Sequence, residues 1–443
     1  MQVGERPEGS DRRHHVVVVG AGFAGLNVAR RLGRAASDTP LRITLVDRHN
    51  HHTFQPLLYQ VATAGLESDS IGHSVRGLFR RLPVDVRLGT VVGVDWDARR
   101  VELDDGASLD FDTVVFAAGA ESADYGIEGV SEHAFMLKWI PDALRLRNHL
   151  LRQFERVESH PELIEQGALN FVVAGGGPTG VELSGAIAEL VEHVVQRDHP
   201  NVDIAKVRVV LVEMMDALLG TYSQASQRYA RRALEERGVE VRTDTAIEAV
   251  EADEVRLSDG ERIPTATVVW TAGVRANPLA DVLGLEQGKG GRVKVAGDLR
   301  VPGRADAFVV GDLAAVTGKD GQVLPQLAPV AIQQGQHVAD QIVRLRRGEP
   351  TAPFRYRDRG TMATIGRRDA IAELALGVKL HGSLAWLSWL GLHLLYLVGF
   401  RNRVAVLGNW AYAYLTYDRA ARLIIELEPP PGDDDDRAQG AHR

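Results

Sequence analysis

The chain has 443 residues, 45% of them hydrophobic, which is enough for two or three domains with buried cores. Its formal net charge of −8 leaves no general basic excess to bind nucleic-acid phosphates. It contains no cysteine, which excludes a structural disulfide, a cysteine-held iron–sulfur cluster and any chemistry through a thiolate or redox-active disulfide.

Met1 to Arg13 are charged and lack the apolar core of a secretory signal, so the expectation is a chain that stays in the cytoplasm. His14 to Val19 is a β-branched run that predicts a buried strand, and it leads into Gly20-Ala-Gly22-Phe-Ala-Gly25 and then an apolar helical stretch. In that setting glycines let backbone N–H groups approach a pyrophosphate at a helix N-terminus, so the segment predicts a dinucleotide site. A second buried strand, Leu41 to Val46, ends at Asp47. A carboxylate there accepts from ribose hydroxyls and repels a 2′-phosphate, which favours FAD or NAD over NADP. His49, His51 and His52 follow without cysteines or a convincing carboxylate partner, and are expected as loop and flavin-pocket residues with no metal.

Further along, alternating strands turn at Asp104-Asp-Gly106 and lead to the apolar run Phe111-Asp-Thr-Val-Val-Phe-Ala-Ala118-Gly119-Ala. The pattern then repeats. Phe171 to Val173 precedes Gly175-Gly-Gly177-Pro-Thr-Gly180, with Glu182 close behind; Val207 to Val212 ends at Glu213. A turn at Ser258-Asp-Gly260 precedes Ala266-Thr-Val-Val-Trp-Thr-Ala-Gly273-Val. The spacing to Glu213 is longer than usual, and the excess is assigned to an extended helix and the loop Arg197 to Ala205. The repetition predicts an α/β chain with two Rossmann-like dinucleotide-binding domains. Two dinucleotides in one chain imply electron transfer between them, and without sulfur the flavin must hand electrons straight to an acceptor.

Ala307-Phe-Val-Val-Gly311-Asp312 predicts a strand ending in a carboxylate suited to a polyol such as the ribityl chain of a flavin. Its place after the second repeat suggests that the chain returns to complete the first domain, making the second an insertion. The expected divisions are residues 14–134 and 299–345 for the first dinucleotide-binding domain, 135–298 for the second and 346–428 for a membrane-anchoring region. Residues 429–443, with Asp433 to Asp436, are expected as a disordered acidic tail.

Within the anchoring region, Leu384 to Phe400 has His393 as its only readily ionisable side chain and sits at the short limit for spanning a bilayer. Trp386, Trp389, Tyr396, Trp410, Tyr412, Tyr414 and Tyr417 crowd around it, and Lys379, Arg401, Arg403, Arg419 and Arg422 would meet anionic lipid. The expectation is helices lying in one leaflet without crossing it.

Five segments carry a resemblance to a known family: Asp47-Arg48-His-Asn-His-His-Thr-Phe-Gln-Pro-Leu-Leu-Tyr-Gln-Val-Ala-Thr63, the second glycine loop through Glu182 to Gly185, the Gly311-Asp312 strand, Ala328-Pro-Val-Ala-Ile-Gln333-Gln-Gly335, and Gly399-Phe-Arg-Asn-Arg403. From about His15 to Ile424 the chain resembles the type II NADH:quinone oxidoreductases, the non-proton-pumping NADH dehydrogenases of respiratory membranes, within the wider FAD-dependent pyridine nucleotide-disulfide oxidoreductases. The first and last segments are the most specific, because the glycine loops are shared with many flavoproteins.

The resemblance implies FAD held by Gly20, Gly22, Gly25, Asp47, Arg48, Val91, Ala118, Gly119, Gly311, Asp312, Ala328 and Pro329. It implies NADH at Gly175, Gly177, Gly180 and Gly273, with Glu213 at the adenosine ribose. Glu182 is implied near nicotinamide and flavin as a proton relay, and Gln333 beside the quinone. The family pattern Ala-Gln-x-Ala-x-Gln carries Pro329 here in place of its first glutamine, which bears on which quinone head group is accepted. Peripheral attachment to the cytoplasmic face of the membrane, a homodimer, and menaquinone or ubiquinone as acceptor are implied as well. Two other readings use the same loops: a soluble NADH-dependent flavoprotein reductase feeding oxygen, ferredoxin or rubredoxin, and a non-enzymatic NADH-binding redox sensor or scaffold.

Overall fold

The computed structural model describes residues 13–397, 400–416 and 421–425. Gly399, Tyr417, Arg419 and the acidic tail at 429–443 lie outside the described residues, as do the side chains of Arg401 and Tyr414. The chain packs as two compact units. One runs to Thr53 and continues through Gly72–Ala123 and Gly273–Gly360; the other comprises Phe54–Ile71, Asp124–Ala272 and the chain from Thr361 onward.

The first unit is built on a parallel sheet in the order Ala307–Val309, Thr113–Phe116, His14–Val19, Leu41–Asp47, Asp85–Leu88. Val16, Val17 and Val18 are fully buried, as a strand covered on both faces requires. Val16 pairs with Ile43 on one side and Thr113 on the other, so the two strands that end at the glycine loop and at Asp47 are neighbours. Helix Phe23–Ala35 packs against helix Ala328–Arg346. A Cβ on Gly335 would lie 2.3 Å from the Ala24 carbonyl oxygen, so this approach is open only to glycine. An antiparallel sheet of Val91–Asp95, Arg100–Leu103 and Ser108–Asp110 completes the unit, with Gly106 turning at φ +79°.

The second unit repeats the plan. Its parallel sheet runs Ala134–Met136, Thr267–Trp270, Asn170–Ala174, Arg208–Val212, Val239–Arg242, the same order of first strand, second strand and return strand. The duplication expected from the sequence is therefore a duplication of topology, and both parallel α/β folds are present. Helix Leu58–Ala62 packs on helices Ile140–Ser159 and Pro178–Leu190. Residues 54–71 and the chain from Thr361 onward therefore group with this second fold.

C-terminal strands Gly360–Gly366, Asp369–Leu374 and Lys379–His381 form a three-stranded sheet that carries helix Gly382–Tyr396. A Cβ on Gly185 would lie 1.7 Å from the Ile365 carbonyl oxygen, so this sheet runs directly against helix Pro178–Leu190. The apolar run Leu384 to Phe400 is not one helix: Leu397 is extended (φ −60°, ψ 127°), and helix Phe400–Thr416 starts anew. No described helix is long and apolar enough to cross a membrane.

Gly335→Ala forces a methyl group onto backbone that cannot yield, and the expected loss of stability is about 1–3 kcal/mol in denaturant unfolding. Gly408→Ala, whose methyl would meet nothing within 4 Å, is the matched control and should cost nothing.

Candidate functional site

The first glycine loop is shaped by contacts that only glycine allows. Gly20 has φ +103°, and a Cβ on it would sit 2.4 Å from the Ala117 carbonyl oxygen; one on Gly25 would sit 1.8 Å from the Gly20 carbonyl oxygen. Gly22 faces open space, with nothing within 4 Å of its Cβ position, and caps helix Phe23–Ala35 without a side-chain acceptor. The helix start thus offers its amides to an anion. Asp47 closes the loop from the neighbouring strand tip: its Oδ2 accepts from Ala21 N at 2.5 Å and its Oδ1 from His49 N at 2.6 Å.

Ala118 and Gly119 follow strand Thr113–Phe116 at the same end of the sheet, the carboxyl end where open α/β sheets bind ligands. Gly119 has φ +72° and open space on its Cβ side. Val91 begins its strand half-buried, and Arg48 pairs with Glu121 at 3.0 Å. Gly311, at φ +74°, donates its N–H to Gln334 Oε1 at 2.6 Å, which sets the turn that presents the partly exposed Asp312. Pro329 is in the first turn of helix Ala328–Arg346, where a missing N–H leaves no intrahelical bond unmade. Gln333 is already engaged: its Nε2 donates to Arg357 O at 2.9 Å and its Oε1 accepts from Arg357 N at 3.0 Å. A Cβ-free pyrophosphate turn, an acid at the second strand tip and a second acid at Asp312 fit the three polar regions of FAD.

The second loop has the same construction. Gly175 has φ +102° and would place a Cβ 2.6 Å from Ala272 Cα, Gly180 would place one 1.8 Å from the Gly175 carbonyl oxygen, and Gly177 is open. Glu213 Oε2 accepts from Gly176 N at 2.6 Å and Oε1 from Met215 N at 2.8 Å. The longer spacing to Glu213 leaves this geometry intact, which fits NADH with an unmodified ribose. Gly273 follows the return strand and accepts from Ala123 N at 3.1 Å.

Glu182 lies on the helix that this second loop opens, and only 8% of its surface is exposed. Its Oε1 accepts from Thr364 N at 3.3 Å. Burial pushes its carboxyl up to about 8, opposed by the Thr364 amide and by the indole N–H of Trp389. That indole nitrogen is itself buried and reaches no acceptor at hydrogen-bond geometry. Trp389 stacks on His393 at 4.0 Å between ring centres and lies 5.8 Å from Trp410, whose Nε1 donates to Gln60 Oε1 at 2.9 Å. Burial pushes the His393 imidazole down to about 4, so it is neutral in this apolar cluster.

Several of these groups give no signal in sequence. Thr364 and Trp389 are far along the chain from Glu182. Gln334 and His52 stand inside motif segments, but neighbours with clearer chemistry draw the attention.

A family model described as pyridine nucleotide-disulphide oxidoreductase matches residues 14–335, and one described as NDH2 C-terminal domain matches residues 359–417. The chain is 38% identical over 434 residues to the type II NADH:quinone oxidoreductase Ndh of Mycobacterium tuberculosis, covering 94% of this chain and 91% of that protein. It is 33% identical over 363 residues to the type II NADH:quinone oxidoreductase of Staphylococcus aureus, covering 81% and 89%. Among solved structures, NDH2 from Plasmodium falciparum in complex with NADH superposes with a TM-score of 0.85 at 17% identity, covering 94% of this chain and 100% of that one, a likeness of fold.

The Glu182 carboxyl has a definite pH signature. Between pH 4.5 and about 8 an unfolded chain has ionised this group while the folded chain keeps its proton, so the stability it contributes is full at low pH and drains as pH rises through that window. Glu182→Gln should remove that part of the slope in denaturant unfolding across the window. An unchanged slope would show that the carboxyl titrates normally.

Proposed function

The chain belongs to the type II NADH:quinone oxidoreductases, and from that premise we propose that its two cradles divide the reaction, with FAD in the first loop and NADH in the second. The enzyme oxidises NADH and reduces a quinone without pumping protons. Bound FAD supplies the redox chemistry, accepting a hydride from NADH and passing two electrons to the quinone.

The protein's own part is to hold, orient and protonate. Amides at Gly22 and the helix start hold the FAD pyrophosphate, assisted by the turn at Gly20 and Gly25, while Asp47 takes the adenosine ribose and Asp312 the ribityl hydroxyls. Arg48, Val91, Ala118, Gly119 and Gly311 line the same cradle. The N-terminus at Ala328 and Pro329 lends its positive helix end to negative charge on the reduced cofactor, a backbone role that tolerates proline. Gly175, Gly177, Gly180 and Gly273 serve NADH in the same way, and Glu213 reads its ribose hydroxyls. Glu182, whose carboxyl titrates near neutrality, holds and releases a proton for the quinone. Gln333 shapes the quinone site through its tie to Arg357. Pro329 is the residue most apt to set which head group, menaquinone or ubiquinone, is accepted.

We further propose that helices Gly382–Tyr396 and Phe400–Thr416 lie on the cytoplasmic face of the membrane, and that the enzyme works there as a homodimer. Leu384, Leu387 and Leu395 are 66%, 57% and 70% exposed, and Val404 and Leu407 are 54% and 53% exposed. On the first helix they recur at helical spacing, opposite the buried Ala385 and Trp389.

The observation that carries the reading is one bond made twice, a strand-tip acid to a glycine-loop amide, in a chain without cysteine. Stopped-flow spectroscopy tests it: NADH should bleach the flavin anaerobically, and a quinone should restore the colour far faster than oxygen, ferredoxin or rubredoxin. Preferential reoxidation by one of the latter would favour a soluble reductase, and no bleaching would favour a sensor. Glu213→Arg should raise the KM for NADH by about tenfold or more and improve NADPH use. Replacing Leu384, Leu387 and Leu395 with glutamine should release the protein from lipid vesicles while leaving reduction of a water-soluble quinone. Continued co-sedimentation would refute this membrane face.

A further inference from the structure

The middle residue of each glycine loop is held at its N–H and at its carbonyl, but the carbonyl contact is made from different atoms in the two loops. In the second loop the Gly176 peptide is fixed on both sides: its N–H donates to Glu213 at 2.6 Å, and its carbonyl accepts from Leu219 N at 2.8 Å. Ala21 is the matching residue of the first loop. Its N–H donates to Asp47 at 2.5 Å, and its carbonyl meets not a backbone amide but the Nδ1 of His52, at 2.8 Å.

We propose that His52 is a positioning residue of the FAD loop, whose Nδ1–H clamps the Ala21 carbonyl so that the Gly22 amide is aimed at the FAD pyrophosphate. The proposal rests on FAD occupying the first loop. A carbonyl can only accept, so Nδ1 carries the proton of this bond. Burial pushes the imidazole down to about 4, so the ring is neutral and this is its single proton. The other nitrogen, Nε2, is buried and has no hydrogen-bond partner among the described residues. No competing polar contact turns the ring. Phe23 meets it edge-on, with ring centres 5.2 Å apart at 87°, and strand pairing sets His52 opposite His73.

The consequence follows from peptide geometry. The Ala21 carbonyl and the Gly22 N–H belong to one planar trans unit and point in opposite directions. Fixing the carbonyl toward His52 therefore fixes the Gly22 N–H toward the opposite side. Gly22 is also the loop residue with nothing within 4 Å of its Cβ position, and it caps a helix that has no side-chain acceptor. A histidine held across 31 positions of chain thus sets the direction of an amide that a phosphate would meet.

The test uses the full-length FAD-loaded protein, with release followed by flavin fluorescence after dilution into FAD-free buffer. His52→Leu keeps the bulk and removes the donor, and should release FAD about tenfold faster, the effect of leaving one buried carbonyl unpaired. His52→Asn can set its amide N–H where Nδ1–H lies and should stay within about twofold of the parent. NADH affinity should not change in either variant, because the second loop has its own clamp. The proposal is overturned if His52→Leu keeps FAD as the parent does, or if His52→Asn loosens it equally. Should His52→Leu not fold, His52→Gln places its amide one bond farther out and should still loosen FAD; parent-like retention there overturns the clamp. A parent protein that takes up no FAD would overturn the assignment of the first loop instead. Amide exchange at Gly22 then decides the clamp by itself: faster exchange in His52→Leu supports it, and equal exchange overturns it.

Discussion

A single kind of bond organises both halves of this protein: a carboxylate at the tip of the second strand accepting from the backbone of a glycine loop at the tip of the first. Asp47 makes it to Ala21 and Glu213 to Gly176, and each acid spends its other oxygen on an amide two positions further along its own chain. The bond depends on the parallel register that makes these strands neighbours, and the loop conformation depends on glycines whose replacement would collide with backbone. Charge-assisted bonds of this kind are stronger than neutral ones, and they fix the acid where ribose hydroxyls would arrive. On the proposed assignment, fold and nucleotide recognition share the same atoms.

The proposed proton-handling group has a different dependence. Glu182 stands on the helix opened by the second loop, and burial raises its carboxyl while Thr364 and Trp389, both from the C-terminal segment, pull it back down. Helix Gly382–Tyr396 thus has two jobs on two faces. Trp389 turns inward, stacked on a neutral His393, while Leu384, Leu387 and Leu395 turn out. The segment proposed to touch lipid thus also supplies both N–H groups that act on the buried Glu182 carboxyl.

Much of this was legible in the sequence because it is local. β-Branched runs specify buried parallel strands, glycines at fixed spacing specify turns that other residues cannot make, and an acid after each second strand has one obvious task. The repeat of all three announced the duplicated fold. What escaped depends on contacts between distant positions. His52 reads as one of several loop histidines until the fold sets it on Ala21, and Gln333 reads as a free amide until Arg357 takes both its ends. The apolar run from Leu384 gives no hint that its helix stops at Tyr396, because hydropathy does not change there. Phe54–Ile71 follows the first loop in sequence yet packs with the second fold, since the apolar face of helix Leu58–Ala62 finds its partners there.

If the proposed division of labour is right, the two like-built cradles hold two different dinucleotides at once. Native mass spectrometry of the full chain with FAD and a non-reducing NADH analogue tests this most directly, using Asp47→Ala and Glu213→Ala beside the parent. The account predicts one FAD and one analogue per chain in the parent, loss of FAD alone from Asp47→Ala, and loss of the analogue alone from Glu213→Ala. A single nucleotide per chain, or both ligands lost from either variant while the protein stays folded, would contradict it.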